Sequence, residues 1–283
     1  MKRSTGPLDE IGYWTEIKLD IIAKYAAAYS TIISAQKTHF THVYIDAFAG
    51  AGEHVARSTG EKVAGSPLRV LEIQPPFAEY HLIELDPQKT QNLRERVGDR
   101  PNVFIHEGDC NDLLIRDVFP RARKGDFRRA LCLLDPYGLH LDWDVVRTAG
   151  TMQSIDMFLH FPIMDINRNV LHRDPNSVSA QDIARMNRFW GDDTWQTIAY
   201  TTGPVRGQAK LFDEFADKVP NEVIVEAFRD RLRDVAGFPE VPESIPMRNS
   251  TNAVVYYLFF ASQKKVAGKI AKDIFNKYHN HGA

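Results

Sequence analysis

Val43-Tyr44-Ile45-Asp46-Ala47-Phe48-Ala49-Gly50-Ala51-Gly52 is the stretch that decides how this chain is read. Its first six residues favour strand in a run too short for a helix, and glycines at alternate positions stop it. Glycine there lets the backbone turn tightly and lets a ligand lie against main-chain N–H groups that a Cβ would block. A strand running into a glycine loop is the local grammar of a nucleotide-type site. The third glycine of the dinucleotide fingerprint would fall at Val55, which disfavours a nicotinamide-dependent oxidoreductase. Glu53-His54 stands where a phosphate-binding loop needs Lys-Ser/Thr, so that loop is excluded too.

Upstream, residues 13–36 carry Ile17, Ile21, Tyr25, Tyr29, Ile32 and Ile33 at helical spacing and predict an amphipathic helix. Downstream, residues 53–65 read as a polar loop. A helix should start at Pro67, with Ser66 capping it through a backbone N–H. Strands are predicted over 80–85, 103–106, 130–134 and 155–161, with a helix over 87–97. Strands that alternate with helices and are close to continuously apolar imply a parallel sheet covered on both faces. Beyond Pro162 the segment 165–181 is polar, helical stretches follow at 183–189, 208–217 and 221–236, and no strand fits. Residues 244–248 and 253–261 read as antiparallel strands joined at Asn249-Ser250-Thr251-Asn252, and 264–278 as a closing helix. The expected architecture is a single α/β domain over 1–283. It has a Rossmann-like seven-stranded sheet, five strands parallel and the C-terminal hairpin antiparallel. A helical insertion at about 165–241 over the C-terminal edge would act as a substrate-selecting lid.

Four strand ends carry the chemistry. Asp46 beside the glycine loop would repel phosphates and suits a cationic group on a nucleoside, which points to S-adenosyl-L-methionine. Glu84, in Leu82-Ile83-Glu84-Leu85-Asp86-Pro87, can accept both hydroxyl hydrogens of a ribose. Asp109, in Gly108-Asp109-Cys110-Asn111-Asp112, can accept from an adenine amine, with Cys110 lining that pocket. In Asp135-Pro136-Tyr137-Gly138, the Asp135 side chain and the Pro136 carbonyl can accept from a target amine, and the Tyr137 ring offers a face for stacking. Each carboxylate alone also reads as a loop or cap acid, and Asp135-Pro136 as a turn. Their order at successive strand ends favours one site. The catalysis so implied is mostly positioning of a nitrogen lone pair toward a methyl sulfonium.

These residues resemble motifs I to IV of Rossmann-like class I S-adenosylmethionine-dependent methyltransferases, over roughly residues 43–161. The resemblance assigns Asp46, Phe48, Ala49, Gly50, Gly52, Glu84, Asp109 and Cys110 to the cofactor, and Asp135, Pro136 and Tyr137 to catalysis. Phe-Ala-Gly-x-Gly resembles motif I of DNA and RNA methyltransferases. The whole chain is similar to the bacterial three-Cys-motif partner protein (TcmP) family. The resemblance rests on Gly65-Ser66-Pro67-Leu68, Asp135-Pro136-Tyr137-Gly138, Phe189-Trp190-Gly191 with Trp195, and Tyr256-Tyr257-Leu258. It implies a three-cysteine-motif protein as partner and an RNA or DNA base, or a nucleotide-like amine, as substrate. Asp-Pro-Tyr-Gly has one proline where DNA amino-methyltransferases usually have two, and is closer to the Asp-Pro-Phe-Gly of tRNA guanine-N2 methyltransferases. The alternative is a non-catalytic or cofactor-binding partner protein. Cytosine-C5 chemistry is disfavoured because neither cysteine follows a proline.

Length, composition and charge fit this reading. The 283 residues are 43% hydrophobic and 25% charged, which places the chain among globular proteins. Two cysteines exclude a disulfide framework and a cysteine-rich zinc module, and suit a reducing cytoplasm. No apolar run is long enough to cross a bilayer, so no membrane is expected. A net charge of −2 argues against non-specific coating of duplex DNA. One basic cluster stands out: Arg116, Arg121, Arg123, Lys124, Arg128 and Arg129. It reads as a solvated loop, or as a phosphate-touching rim if it lies beside the site. The histidines lack metal-ligand spacing, so no metal is expected. Cys132, Trp190 and Trp195 read as packing residues, and Arg168 as a surface residue.

Overall fold

The computed structural model describes residues 8–201 and 217–278. In chain order the strands are β1 (Asp9–Ile11), β2 (Thr41–Asp46), β3 (Glu53–Ala56), β4 (Lys62–Ala64), β5 (Glu79–Glu84), β6 (Val103–Glu107), β7 (Arg128–Leu134), β8 (Ile155–Phe161), β9 (Tyr200–Thr201), β10 (Asp217–Lys218), β11 (Ile245–Arg248) and β12 (Val254–Ala261). The helices are α1 (Tyr13–Ser34), α2 (Ser66–Leu71), α3 (Pro87–Val97), α4 (Cys110–Leu113), α5 (Trp143–Met152), α6 (Ile163–Asn169), α7 (Ala180–Trp190), α8 (Thr194–Ala199), α9 (Asn221–Asp234) and α10 (Lys265–Tyr278).

Seven strands form the central sheet in the order β11-β12-β8-β7-β2-β5-β6. Its five strands from β8 to β6 are mutually parallel, while β12 pairs antiparallel with both β8 and β11. This is the Rossmann-like seven-stranded sheet that the sequence predicts, mostly parallel with an antiparallel C-terminal hairpin. From β2 the chain moves outward through β5 to β6, then crosses back to β7 on the other side. The strand order therefore reverses between β2 and β7, and the crevice outside their carboxyl ends is where open α/β sheets place ligands.

Burial explains the strands. Every residue of β2 after Thr41 is buried, as are the last five of β7, because helices cover both faces. One face carries Ile22, Tyr25, Phe158 and Phe260; the other carries Phe161, Trp190, Phe228 and Phe259. Burying each such side chain contributes about 1.5–3 kcal/mol. Helix α3 starts where Asp86 accepts from the Gln88 and Lys89 N–H groups at 2.8 and 3.2 Å, with Pro87 in its first turn. It ends at Gly98, whose φ of +68° few other residues adopt.

Three expectations need correction. The predicted loop 53–65 contains the hairpin β3–β4, and β1 adds to it in parallel to make a separate three-stranded sheet. These strands are short and largely solvated, so they show no apolar alternation. Ser66 does not cap its helix: Gly65 holds the cap position, and the Ser66 hydroxyl turns inward to Asp46 at 2.6 Å. The segment 165–241 is less purely helical than expected, because β9 and β10 pair antiparallel within it. Most of the helix predicted over 208–217 lies outside the described residues, and Asp217 opens β10. The insertion also shares the main core: Phe228 of α9 lies 4.6 Å from Phe161 and 5.5 Å from Phe259, ring centre to ring centre.

Candidate active site

Asp46 ends β2 and is fully buried. Its Oδ2 accepts from the Ser66 hydroxyl at 2.6 Å and the Tyr44 hydroxyl at 3.3 Å, and its Oδ1 accepts from the Phe48 N–H at 3.2 Å. All these donors are neutral, and burial pushes the carboxyl up to about 6. Asp46 thus shapes the glycine loop from beneath. In this conformation its carboxylate is closed off from direct contact with a cationic ligand.

The loop itself turns at Gly50, with φ +63°, and Gly52, with φ +82°. A Cβ built on Gly50 meets nothing within 4 Å, so space is open there. Glu84, at the end of β5, clamps this loop to the next one. Its Oε2 accepts from the Gly50 N–H and its Oε1 from the Asp86 N–H, each at 2.8 Å. Each oxygen keeps a second lone pair for an incoming hydroxyl. Leu85 follows with 68% of its surface exposed, an apolar side chain left in solvent beside a buried carboxylate. After β6, Asp109 caps α4 through Oδ1 to the Asn111 N–H at 2.9 Å. Cys110 is buried next to it, and burial raises its thiol.

The fourth strand end is organised by charge. Asp135, a quarter exposed, accepts from Lys18 through Oδ2 and from His160 Nδ1 through Oδ1 at 2.7 Å. Burial works to raise its carboxyl; the Lys18 ammonium and His160 overrule it and leave it well below the usual carboxylate range. Pro136 is buried, and Tyr137 stands 55% exposed. The Tyr137 hydroxyl donates to Asp9 of β1 at 2.9 Å, Lys89 of α3 reaches the same Asp9 oxygen at 2.6 Å, and its ammonium lies 5.4 Å from the Tyr137 ring centre. Strand β1 thereby straps the glycine-loop hairpin to the Asp135 tip. His54, paired in register with Asp9, has its Nδ1 buried without a partner, and burial holds its ring at about 4. On the other flank α6 brings Asp165 against Gly138, where a Cβ would lie 2.7 Å from its Oδ2.

The structure therefore brings Asp46, Phe48, Ala49, Gly50, Gly52, Glu84 and Asp135-Pro136-Tyr137 to one end of the sheet, with Asp109 and Cys110 at the neighbouring strand end. The basic cluster is elsewhere. Arg128 and Arg121 pair with Glu79 at the opposite ends of β7 and β5, at 2.7 and 3.3 Å, and Arg129 lies over Phe40. Trp190, Trp195 and Cys132 are buried packing residues. Among the described residues no cluster of His, Cys, Asp or Glu is arranged to hold a metal, and no helix is long and apolar enough to cross a membrane.

Four residues escaped the sequence reading. Lys18 had a usable signal, because it falls on the buried stripe of α1 with Ile21, Ile22 and Tyr25, where a lysine needs a partner. Leu85 sits beside a residue already singled out. Asp9 carried no signal, and Tyr256, quoted only as part of a family resemblance, reaches the site through the fold.

No protein-family model matches the chain, and no curated protein sequence matches it. Among solved structures, a Legionella pneumophila protein of the DUF519 family superimposes with a TM-score of 0.48 at 11% identity, over 96% of this chain and 94% of that one. A candidate S-adenosylmethionine-dependent methyltransferase from Listeria monocytogenes gives 0.41 at 10% identity, over 86% and 100%. The plantazolicin methyltransferase BpumL, bound to S-adenosylhomocysteine, gives 0.35 at 10% identity, over 88% and 86%. Likeness at this level bears on neither activity nor substrate.

Proposed function

We propose that the chain is an S-adenosylmethionine-dependent methyltransferase acting on an exocyclic amine of a nucleic-acid base or a nucleotide-like molecule. The observation that carries this reading is the Glu84 clamp on the glycine loop beside the strand-order reversal: a buried carboxylate with spare lone pairs, an open glycine turn and an exposed leucine side by side. That donor set suits a ribose and a purine ring. The loop Phe48-Ala49-Gly50, with Gly52, Glu84, Leu85, Asp109 and Cys110, would hold the cofactor, and Asp46 would brace the loop. When bound, the cofactor supplies an electrophilic methyl group. Asp135, Pro136 and Tyr137 flank the position of the acceptor, and α6 borders it. The resemblance to the TcmP family extends the proposal to a three-cysteine-motif protein as partner.

A second reading, a cofactor-binding partner protein that transfers nothing, draws support from Asp135, because both its oxygens are already engaged. Calorimetry with S-adenosylmethionine and S-adenosylhomocysteine tests both readings, and no binding at millimolar ligand defeats them together. Glu84→Ala should weaken binding about 10–100-fold, since hydrogen bonds to a charged group contribute about 1.5–3 kcal/mol. Radiolabel transfer to total RNA, total DNA and lysate then separates enzyme from partner protein and identifies the acceptor class.

A further inference from the structure

His160 lies near the end of β8, one strand over from Asp135, and its Nδ1 meets Asp135 Oδ1 at 2.7 Å. The direction of that hydrogen bond follows from its neighbours. Lys18 on the other oxygen keeps Asp135 a carboxylate, and a carboxylate only accepts, so Nδ1 carries the hydrogen. Burial lowers the His160 ring below its ordinary value against the pull of Asp135, which keeps it neutral at pH 7. A neutral ring with its hydrogen on Nδ1 has its lone pair on Nε2. Tyr256 of β12 stacks on the ring at 3.9 Å and fixes its plane. Among the described residues Nε2 has no hydrogen-bond partner, and the side chain keeps 17% exposure. An imidazole oriented by a carboxylate, with its second nitrogen left open, has the arrangement of a general base.

We infer that His160 is the proton acceptor of the transfer, with Asp135 and Lys18 as positioning residues behind it. This rests on the methyltransferase reading and changes the part played by Asp135 within it. The nucleophile's lone pair forms the bond to the methyl carbon, the carbon–sulfur bond breaks with its electron pair going to sulfur, and the nucleophile's hydrogen leaves as a proton to His160 Nε2. The imidazolium is stabilised by Asp135 and returns the proton to water. A base serves an O–H nucleophile as well as an N–H one, so the acceptor class widens to hydroxyl groups.

The groups facing His160 are Asp135 just after β7, Lys18 from α1 and Tyr256 from β12. Because the ring must be neutral to act, activity falls as pH drops through its lowered pKa, and the acid limb of the rate profile lies below pH 6.5. The first experiment is histidine 15N spectroscopy of the ligand-free protein at pH 7, with His160→Gln to assign the signal. The expected result is hydrogen on Nδ1 and none on Nε2, lost or redistributed in Asp135→Asn. Hydrogen on Nε2 in the wild type would overturn the inference.

The second experiment uses the RNA, DNA or lysate fraction that accepts label. His160→Gln should bind S-adenosylhomocysteine as the wild type does, transfer about 10²–10⁴-fold more slowly and lose the acid limb. Wild-type rate and pH profile in that variant would also overturn the inference. Failure of the wild type to bind S-adenosylhomocysteine would instead defeat the methyltransferase reading and, with it, the catalytic role of His160, even where the tautomer is as expected.

Discussion

Asp46 and Asp135 close neighbouring parallel strands, and the two halves of the crevice they head are built on opposite electrostatic plans. Asp46 receives two hydroxyls and one backbone N–H, and burial raises it to about 6. Asp135 faces an ammonium and an imidazole, and stays ionised well below the ordinary range. Burial acts on both; the charge of the partner decides the outcome. The half whose donors are all neutral holds its carboxyl beneath the glycine loop, and the half with an ammonium among its donors keeps a carboxylate against the His160 ring.

Removing Lys18 is the most severe way to break this contrast. Lys18→Met leaves the Asp135 charge without its ammonium and should cost about 3–5 kcal/mol in urea unfolding. Adding Asp135→Leu should recover most of that loss. A Lys18→Met protein as stable as the wild type would mean that the two halves do not differ in kind.

A smaller effect sharpens the Asp46 side. Its folded pKa of about 6 lies above the ordinary 3.8, so the stability it contributes is complete below about pH 4 and lost as pH rises through 6. Asp46→Asn should therefore gain on the wild type across that window by on the order of 2–3 kcal/mol, at 1.36 kcal/mol per pH unit. Half-buried His54 and buried His81, each held at about 4, titrate in the opposite sense over the same range. The quantity to measure is the difference between the two proteins at each pH; a constant difference would refute the assignment.

The smallest expected effect concerns the strap. Tyr137→Phe removes the 2.9 Å bond to Asp9 and keeps the ring, so unfolding free energy should fall by about 0.5–1.5 kcal/mol. A larger loss would show that β1 holds the two halves together more firmly than one hydrogen bond allows.

Much of this arrangement was legible in the residues. Strand 155–161 and helix 87–97 have the predicted bounds, because a mostly apolar run and an Asp-Pro cap are local signals. Gly50, Glu84 and Asp135 were found because each stands at the end of such a run. The hairpin β3–β4 was missed because its strands are polar and depend on β1, some forty residues upstream, for their third member. The basic cluster was visible, but only the fold separates its two readings, setting it away from the site as a solvated segment, since charge density says nothing about which end of a sheet a segment occupies.

The order of strands and loops, and with it the set of side chains delivered to the carboxyl ends, follows from local patterns of apolar residues, glycine and proline. Short-range sterics and burial periodicity are enough to specify them. Which of those side chains is ionised, which is sealed and which is left open depends on Lys18, Ser66, His160 and Tyr256, drawn from four separate elements. Only packing at ångström separations sets those contacts, because desolvation and charge pairing depend on neighbours in space rather than on neighbours along the chain.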